Sequence, residues 1–575
     1  MKRVLLVTAA LVAAVAVWTV VSLPPRALAL DASWSDGTVA GIIHVHTSRS
    51  DGSSPPEVVA AAAARAGLAF VVFTDHGDAT RVPDPPTYRA GVLCLDGVEI
   101  STTGGHYVAL DAGASPYPLG GEPRDVIADV ARLGGFGIAA HPDSPKRELA
   151  WHDWTSPIDG IEILNPDTAW REHAYLGTWR SRAHLISSLV TYPWRPTETI
   201  GALLTPSAGA RAAWDRLTAA RAVVGVSGVD AHARLALRDT EPAESRFALP
   251  IPGYETSFRA MSVRVRPTGS LTGDAVVDAS RILAGVRKGD LYTAVDAFAA
   301  PPRLTVAMTQ GDRQAAMGDA VTDGPGLALQ VRHNGGDGFV AQVWKGGAIV
   351  SSHDEPEFTS PVTTGPGAYR VEVRDPRHPD GPAWLTSNPV YVRAPQAQPT
   401  PSAAPASPPP SPQPPVALFD GRTTNGWTLE SDRNSLSAVD VVRSLTGPEL
   451  RIRYGLAGGA RVGQFAGVAV DTLDGAGAYN RITFAARAER PIRLSIQVRA
   501  EVRGAPPERW QRSIYLDTTE RAYAIDFDDM AAVGETHTPK APRATIRNVL
   551  VIVDTTNSRP GSSGSVWMRN PRLER

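Results

Sequence analysis

The chain has 575 residues, 43% of them hydrophobic and 20% charged, with a formal net charge of −2. That length exceeds one ordinary domain and that composition supports buried cores, so several globular domains are expected. The near-neutral charge, without a long basic run, gives no reason to expect nucleic acid as a partner. The single cysteine, Cys94 in "GVLCLDGVEI", excludes an intrachain disulfide and reads as a buried thiol.

Residues 1–30 begin with Lys2 and Arg3, continue through an apolar run from Val4 to Leu23 and stop at Pro24 and Pro25. This is the pattern of an export signal, so an extracytoplasmic protein is predicted. Ala27-Leu28-Ala29 resembles a small-residue cleavage site, yet the apolar run approaches the length of a bilayer span. A cleaved, secreted product and a product anchored to the membrane by this segment both stay open.

Residues 31–300 alternate strand-like and helix-like stretches. The predicted strands are "TVAGIIHVH", "AFVVFTDH", "GVLCLDGVEI", "GHYVALDAG", "FGIAAHPD", "GIEILNP" and "AVVGVSGVDAH". Between several of them lie "PPEVVAAAAARAG", "PRDVIADVARLGG" and "SAGARAAWDRLTAARA", which read as helices. The alternation predicts an α/β barrel, a closed parallel sheet with helical crossovers, whose function collects at the C-terminal strand ends. Residues 301–394 lose the helical period and predict a small β-sandwich. The stretch 395–416 is rich in Pro, Ser and Ala and predicts an extended linker. Residues 417–575 are β-rich again and predict a C-terminal jelly-roll-like sandwich.

The ends of the predicted barrel strands repeat one chemistry. They carry His44 and His46, Asp75 and His76, Glu99, His106, His141, and Asp230 and His232, with Asp51 in the loop after the first pair. Strand alternation puts His44 and His46 on one face with Val45 on the other. Imidazoles and carboxylates without cysteine suit Zn, Mn or Fe, and so many donors exceed what one tetrahedral ion uses, so two or three divalent ions are expected. A centre of that kind favours hydrolysis by a metal-activated water.

The motifs "HVHTSRSDG", "TDHG", "GVEIS", "GGHY", "AAHP" and "GVDAH", in this order, resemble the polymerase and histidinol phosphatase (PHP) superfamily, and within it the CehA/McbA type of metallohydrolase. The resemblance covers residues 38–300 and extends loosely over 301–394. It implies a distorted (β/α)7-type barrel with a trinuclear centre. Carried over by motif, it implies His44, His46, Asp51, His76, Glu99, His106, His141, Asp230 and His232 as metal ligands. A phosphoesterase is the expected activity, on a small-molecule or polymer-attached ester. The same metal chemistry on a carboxylic ester, carbamate or amide is the alternative that the CehA/McbA resemblance permits. A non-catalytic surface glycan-binding protein is the second.

Around this set, His232 is a candidate general acid and Asp75 a candidate orienting residue for its neighbour His76. Glu162 and Asn165 in "GIEILNP" end a strand and read as pocket-lining, with a helix cap equally able to explain Asn165. Arg49, Lys146 and Arg147 read as solvated charge before anion holders. His152, His173, His184, His333, His353, His378 and His537 are not assigned to the centre. The stretches "SIYLDTTERAYAIDFDDM" and "NVLVIVDTTNSRPGSSGSVWM" resemble galactose-binding-like or carbohydrate-binding jelly rolls, which implies glycan contact. The aromatics Trp427, Trp510, Tyr515 and Trp567 read as core before glycan platform.

Overall fold

The computed structural model describes residues 2–236, 248–395, 414–445, 447–460, 463–472 and 476–575. The chain divides into two compact units, Met1–Gly113 with Val126–Gln398 and Ala114–Asp125 with Pro399–Arg575. Residues Lys2–Ser22 form a helix. Among the described residues, no helix is long and apolar enough to cross a membrane. The predicted linker lies mostly at 396–413, outside the described residues.

In the first unit, eight strands build a ring: β1 (Val39–Val45), β2 (Phe70–Phe73), β3 (Val92–Asp96), β4 (Val98–Thr102), β5 (Gly105–Leu110), β6 (Phe136–Ala139), β7 (Gly160–Leu164) and β8 (Val224–Ala231). β1, β2 and β3 pair in parallel, and a parallel bridge from His76 to Glu99 carries the ring on to β4. β4 to β5 and β5 to β6 are antiparallel; β6, β7 and β8 pair in parallel, and β8 returns in parallel to β1, which closes the barrel. The antiparallel pair has a local cause. Only Thr103 and Gly104 join β4 to β5, and a parallel return needs a crossover of a dozen or more residues.

The parallel strands are buried along most of their length, β8 at every residue, as expected of strands covered on both faces. Three helices match the predicted stretches: Pro56–Arg65, Pro123–Arg132 and Ala208–Ala220. The first turns Val59, Ala60, Ala62 and Ala63 inward and starts on a proline, whose missing N–H costs nothing in the first turn. Cys94 in β3 is buried, and burial pushes its thiol up to about 11.

Residues 301–394 form β-structure joined to the barrel by hydrogen bonds. Strand Leu385–Ser387 pairs with Leu291–Ala294, which pairs with Ser262–Val265, which pairs with β1. A separate four-stranded antiparallel sheet runs Arg313–Ala316, Leu304–Gln310, Ala328–His333 and Glu357–Pro361.

The second unit is a sandwich of antiparallel sheets. One contains Leu436–Ser444, Gly447–Gly455, Ser563–Glu574, Arg481–Ala488 and Arg521–Asp526; the other contains Trp427–Ser431, Phe465–Asp471, Ile546–Asp554, Ile492–Ala500 and Glu508–Leu516. Arg481–Ala488 alternates partly and fully buried residues, the period of a strand with one face on a core. Trp427 and Trp510 are in that core. Tyr515 and Trp567 are only partly buried, and the Arg487 guanidinium lies 4.3 Å from the Trp567 ring.

Candidate metal centre

All nine residues expected as ligands converge. Four overlapping groups each bring one donor atom per residue within 4.8 Å of one another: His46, Asp51, His76 and His232; His44, Glu99 and His141; His44, His46 and Asp230; and His76, Glu99 and His106. The barrel explains the convergence. The C-terminal ends of parallel strands share one edge. His106 sits at the start of β5, and because β5 runs antiparallel its N-terminal end reaches the same edge.

The backbone is bent where the donors sit. Pairing of β1 with both β2 and β8 slips by a residue near His44, which adopts φ +69°. A bulged residue re-aims its side chain, and here the rings of His44 and His46 lie 5.2 Å apart, with both Nε2 atoms facing Glu99 and Asp230. His141 and Asp230 also have positive φ, +28° and +50°. Left-handed backbone at a residue other than glycine costs on the order of 1–3 kcal/mol and persists where its surroundings impose it, most often at functional sites.

Glu99 is the hub. Its Oε1 accepts from His106 Nδ1 at 2.7 Å and from His141 Nε2 at 2.8 Å. Its Oε2 lies 3.3, 3.2 and 3.1 Å from His44 Nε2, His46 Nε2 and His76 Nδ1. Asp51 reaches His46 Nδ1 at 3.2 Å and His232 Nε2 at 3.1 Å. For His44, burial favours the neutral ring, but Glu162, Asp230 and Glu99 outweigh it and hold the imidazole well above its ordinary value. The same burial would raise Glu99, and His44, His76, His106 and His141 hold it well below the carboxylate range.

Residues around the donors set their orientation. Glu162 Oε1 accepts from His44 Nδ1 at 2.5 Å, and its Oε2 accepts from the His141 N–H at 2.6 Å and Asn165 Nδ2 at 2.9 Å. A carboxylate on the far nitrogen of a ligating histidine fixes tautomer and ring direction. Asn165 also caps helix Pro166–Arg171, its side chain accepting from the Thr168 N–H. Asp75 contributes no donor atom to the four groups; its carboxylate takes the Thr47 N–H, the Thr47 hydroxyl and the Ser50 hydroxyl, and thereby holds the loop carrying Asp51. His232 Nδ1 donates to the Asp230 carbonyl at 3.0 Å, which leaves Nε2 facing Asp51. Arg49 is paired with Asp84 and Asp96.

Two supports have no local signal. Tyr254 donates to the His46 carbonyl at 2.8 Å and accepts from the Ser53 N–H at 3.1 Å. At Gly228 any Cβ would come within 1.7 Å of Glu162 Oε1, so only glycine leaves room for that carboxylate. For Glu162 itself the signal was its place at the end of a predicted strand.

No family model matches the chain. An uncharacterized protein of Methanocaldococcus jannaschii is 28% identical over 137 residues, which are 21% of this chain and 80% of that protein. Among solved structures, the family 11 carbohydrate-binding module of Clostridium thermocellum, in complex with a β-1,3-1,4-mixed-linked tetrasaccharide, aligns with a TM-score of 0.24 and 16% identity, over 28% of this chain and 94% of that one. The family 30 carbohydrate-binding module of a cellulosomal cellulase of the same organism aligns with a TM-score of 0.22 and 11% identity, over 28% and 97%.

Proposed function

We propose that the barrel is a metal-dependent hydrolase of the PHP type that cleaves a phosphoester. One observation carries this reading. His44 Nε2, His46 Nε2 and Glu99 Oε2 are buried without hydrogen-bond partners, although both nitrogens are within 3.3 Å of that oxygen. A buried polar atom left unpaired costs about 1–3 kcal/mol, and a divalent cation satisfies several such donors at once. The nitrogen and oxygen set, free of thiolate, fits Zn, Mn or Fe. His44, Glu99 and His141 would hold one ion and His46, Asp51, His76 and His232 another, with Asp230 and His106 completing the shells. Ions bound there supply Lewis acidity toward the ester and acidify a water.

The chain's own groups do the positioning. Glu162 keeps the His44 Nε2 lone pair directed at the cluster, and Asp75 holds the Asp51 loop in reach. The His232 Nδ1–H is engaged by a carbonyl while Nε2 faces Asp51, which favours the ligand role over the general-acid role. A second reading, cleavage of a carboxylic ester, carbamate or amide, is favoured by Arg49. Its guanidinium is engaged by Asp84 and Asp96 and so is not offered to a phosphate. Export remains our proposal from residues 1–30, and sequencing the mature N-terminus separates a secreted from an anchored product.

The test is metal content per chain together with hydrolysis of bis(p-nitrophenyl) phosphate, p-nitrophenyl phosphate and p-nitrophenyl acetate, for wild type and His46→Ala. Two or more bound ions and turnover that requires His46 support a hydrolase, and the preferred substrate selects the ester class. Wild type without stoichiometric metal overturns the reading and brings forward a non-catalytic, glycan-binding role.

A further inference from the structure

A cavity of about 160 Å³ adjoins the cluster, with Asp230 and His232 in its wall. The rest of its lining is mainly hydrocarbon, including Trp170, Leu185, Ile200 and Leu203 from the helices that follow β7. Three of the polar side chains in the wall are engaged by their neighbours, and the Arg234 guanidinium and the Ser257 hydroxyl also line it. Asp167 accepts from Trp170 Nε1 at 2.8 Å and Arg171 Nε at 2.5 Å, Ser188 Oγ donates to the His184 carbonyl at 2.9 Å, and Thr199 Oγ1 bonds Thr191 Oγ1 at 3.2 Å. A hydroxylated guest would therefore leave water and find few partners, which costs binding. An apolar guest loses nothing and gains burial. An apolar cavity of about 150 Å³ takes a benzene-sized guest, so the volume fits one six-membered ring or a branched alkyl group.

We propose that this cavity selects the substrate: it receives the non-reacting group of the ester, and that group is apolar and about one ring in size, not a sugar. The assignment rests on the hydrolase reading, because a wall shared with Asp230 and His232 sets the guest beside the proposed metals. Leu185 and Leu203 are then specificity-determining residues that touch substrate without touching the reacting atoms.

The experiment is calorimetric titration of 4-methylphenol, and of myo-inositol as a polar ring of similar size, into the metal-loaded full chain. The proteins are wild type, the cavity-filling variants Leu185→Trp and Leu203→Trp, and Ile186→Trp, which makes a comparable change at a neighbouring side chain that is 57% exposed. Circular dichroism checks each fold, and two filling variants on different helices guard against one misfolding. Expected are binding of 4-methylphenol to wild type and Ile186→Trp, at least tenfold weaker binding to the filled variants, no binding of myo-inositol, and competitive inhibition of ester hydrolysis by 4-methylphenol. Equal binding by filled and wild-type protein, preference for myo-inositol, or non-competitive inhibition overturns the proposal. Turnover with bound metal but no cavity binding overturns this inference alone. Cavity binding without metal or turnover overturns the hydrolase reading, and the substrate assignment with it.

Discussion

His44 and His46, at the barrel edge, and His333, at the end of strand Ala328–His333, are buried alike, at 0, 0 and 3% exposure. Their imidazoles respond in opposite directions. Around His44 and His46 burial is outweighed by Glu162, Asp230, Glu99 and Asp51, which push both rings well up. At His333 burial acts unopposed and pushes the ring down to about 4, with Nδ1 accepting from the Gly335 N–H at 3.1 Å. Burial by itself therefore does not mark a site. A buried histidine among hydrocarbon is a neutral core residue, whereas these buried histidines interleaved with carboxylates form a set of donors that could hold a metal ion.

The strongest way to break this contrast is Glu99→Gln, which removes the charge that five imidazoles share. Metal content should collapse and hydrolysis should fall by roughly a thousandfold or more, as read by metal analysis and turnover of the best ester. Unchanged metal content in a folded variant would show that Glu99 is a structural acid.

His333 sharpens the other side. Its folded pKa lies below the unfolded value near 6.5, so between about pH 6.5 and 4 the unfolded chain binds a proton that the folded chain refuses. Stability should thus fall as pH drops through that window, by at most roughly 3 kcal/mol at about 1.4 kcal/mol per pH unit. Urea unfolding from pH 7 to 4 should show that part of the slope vanish in His333→Leu; a slope identical in both proteins contradicts the assignment.

Gly228→Ala tests whether the donors depend on a carboxylate behind them. The new methyl would displace Glu162 from His44, and loss of such a support typically weakens metal affinity or activity about 10- to 100-fold. Metal titration of the variant beside Glu162→Gln should give similar losses, since both act on the same contact. The smallest effect is expected from Tyr254→Phe, which deletes the hydroxyl bridging the His46 carbonyl and the Ser53 N–H. A loss of about 1 kcal/mol in unfolding free energy with only a several-fold drop in metal affinity is the outcome to look for.

The strand ends were readable because imidazole and carboxylate donors are properties of single residues, and a barrel places its strand ends at recurring positions along the chain. The apolar runs from β1 to β8 were legible for the same reason, since parallel strands buried on both faces are nearly continuous hydrocarbon. The antiparallel turn at β5 was less visible, because its cause is a short connection and not a composition. The aromatic residues of the C-terminal sandwich show a further limit: composition offered core or platform, and the position of each relative to the opposite sheet put Trp427 and Trp510 inside.

By itself, then, the sequence determined which atoms are available as donors and in what order along the barrel, because donor chemistry is a property of single residues. Only the tertiary structure decided which donors share an oxygen of Glu99, that Asp75 braces a loop, that Gly228 makes room for Glu162, and that Tyr254 closes over the His46 backbone. Apart from the His106–Glu99 pair across the short β4–β5 turn, each of those is a contact between segments distant in the chain, and its geometry arises from the closing of the ring and from no local preference.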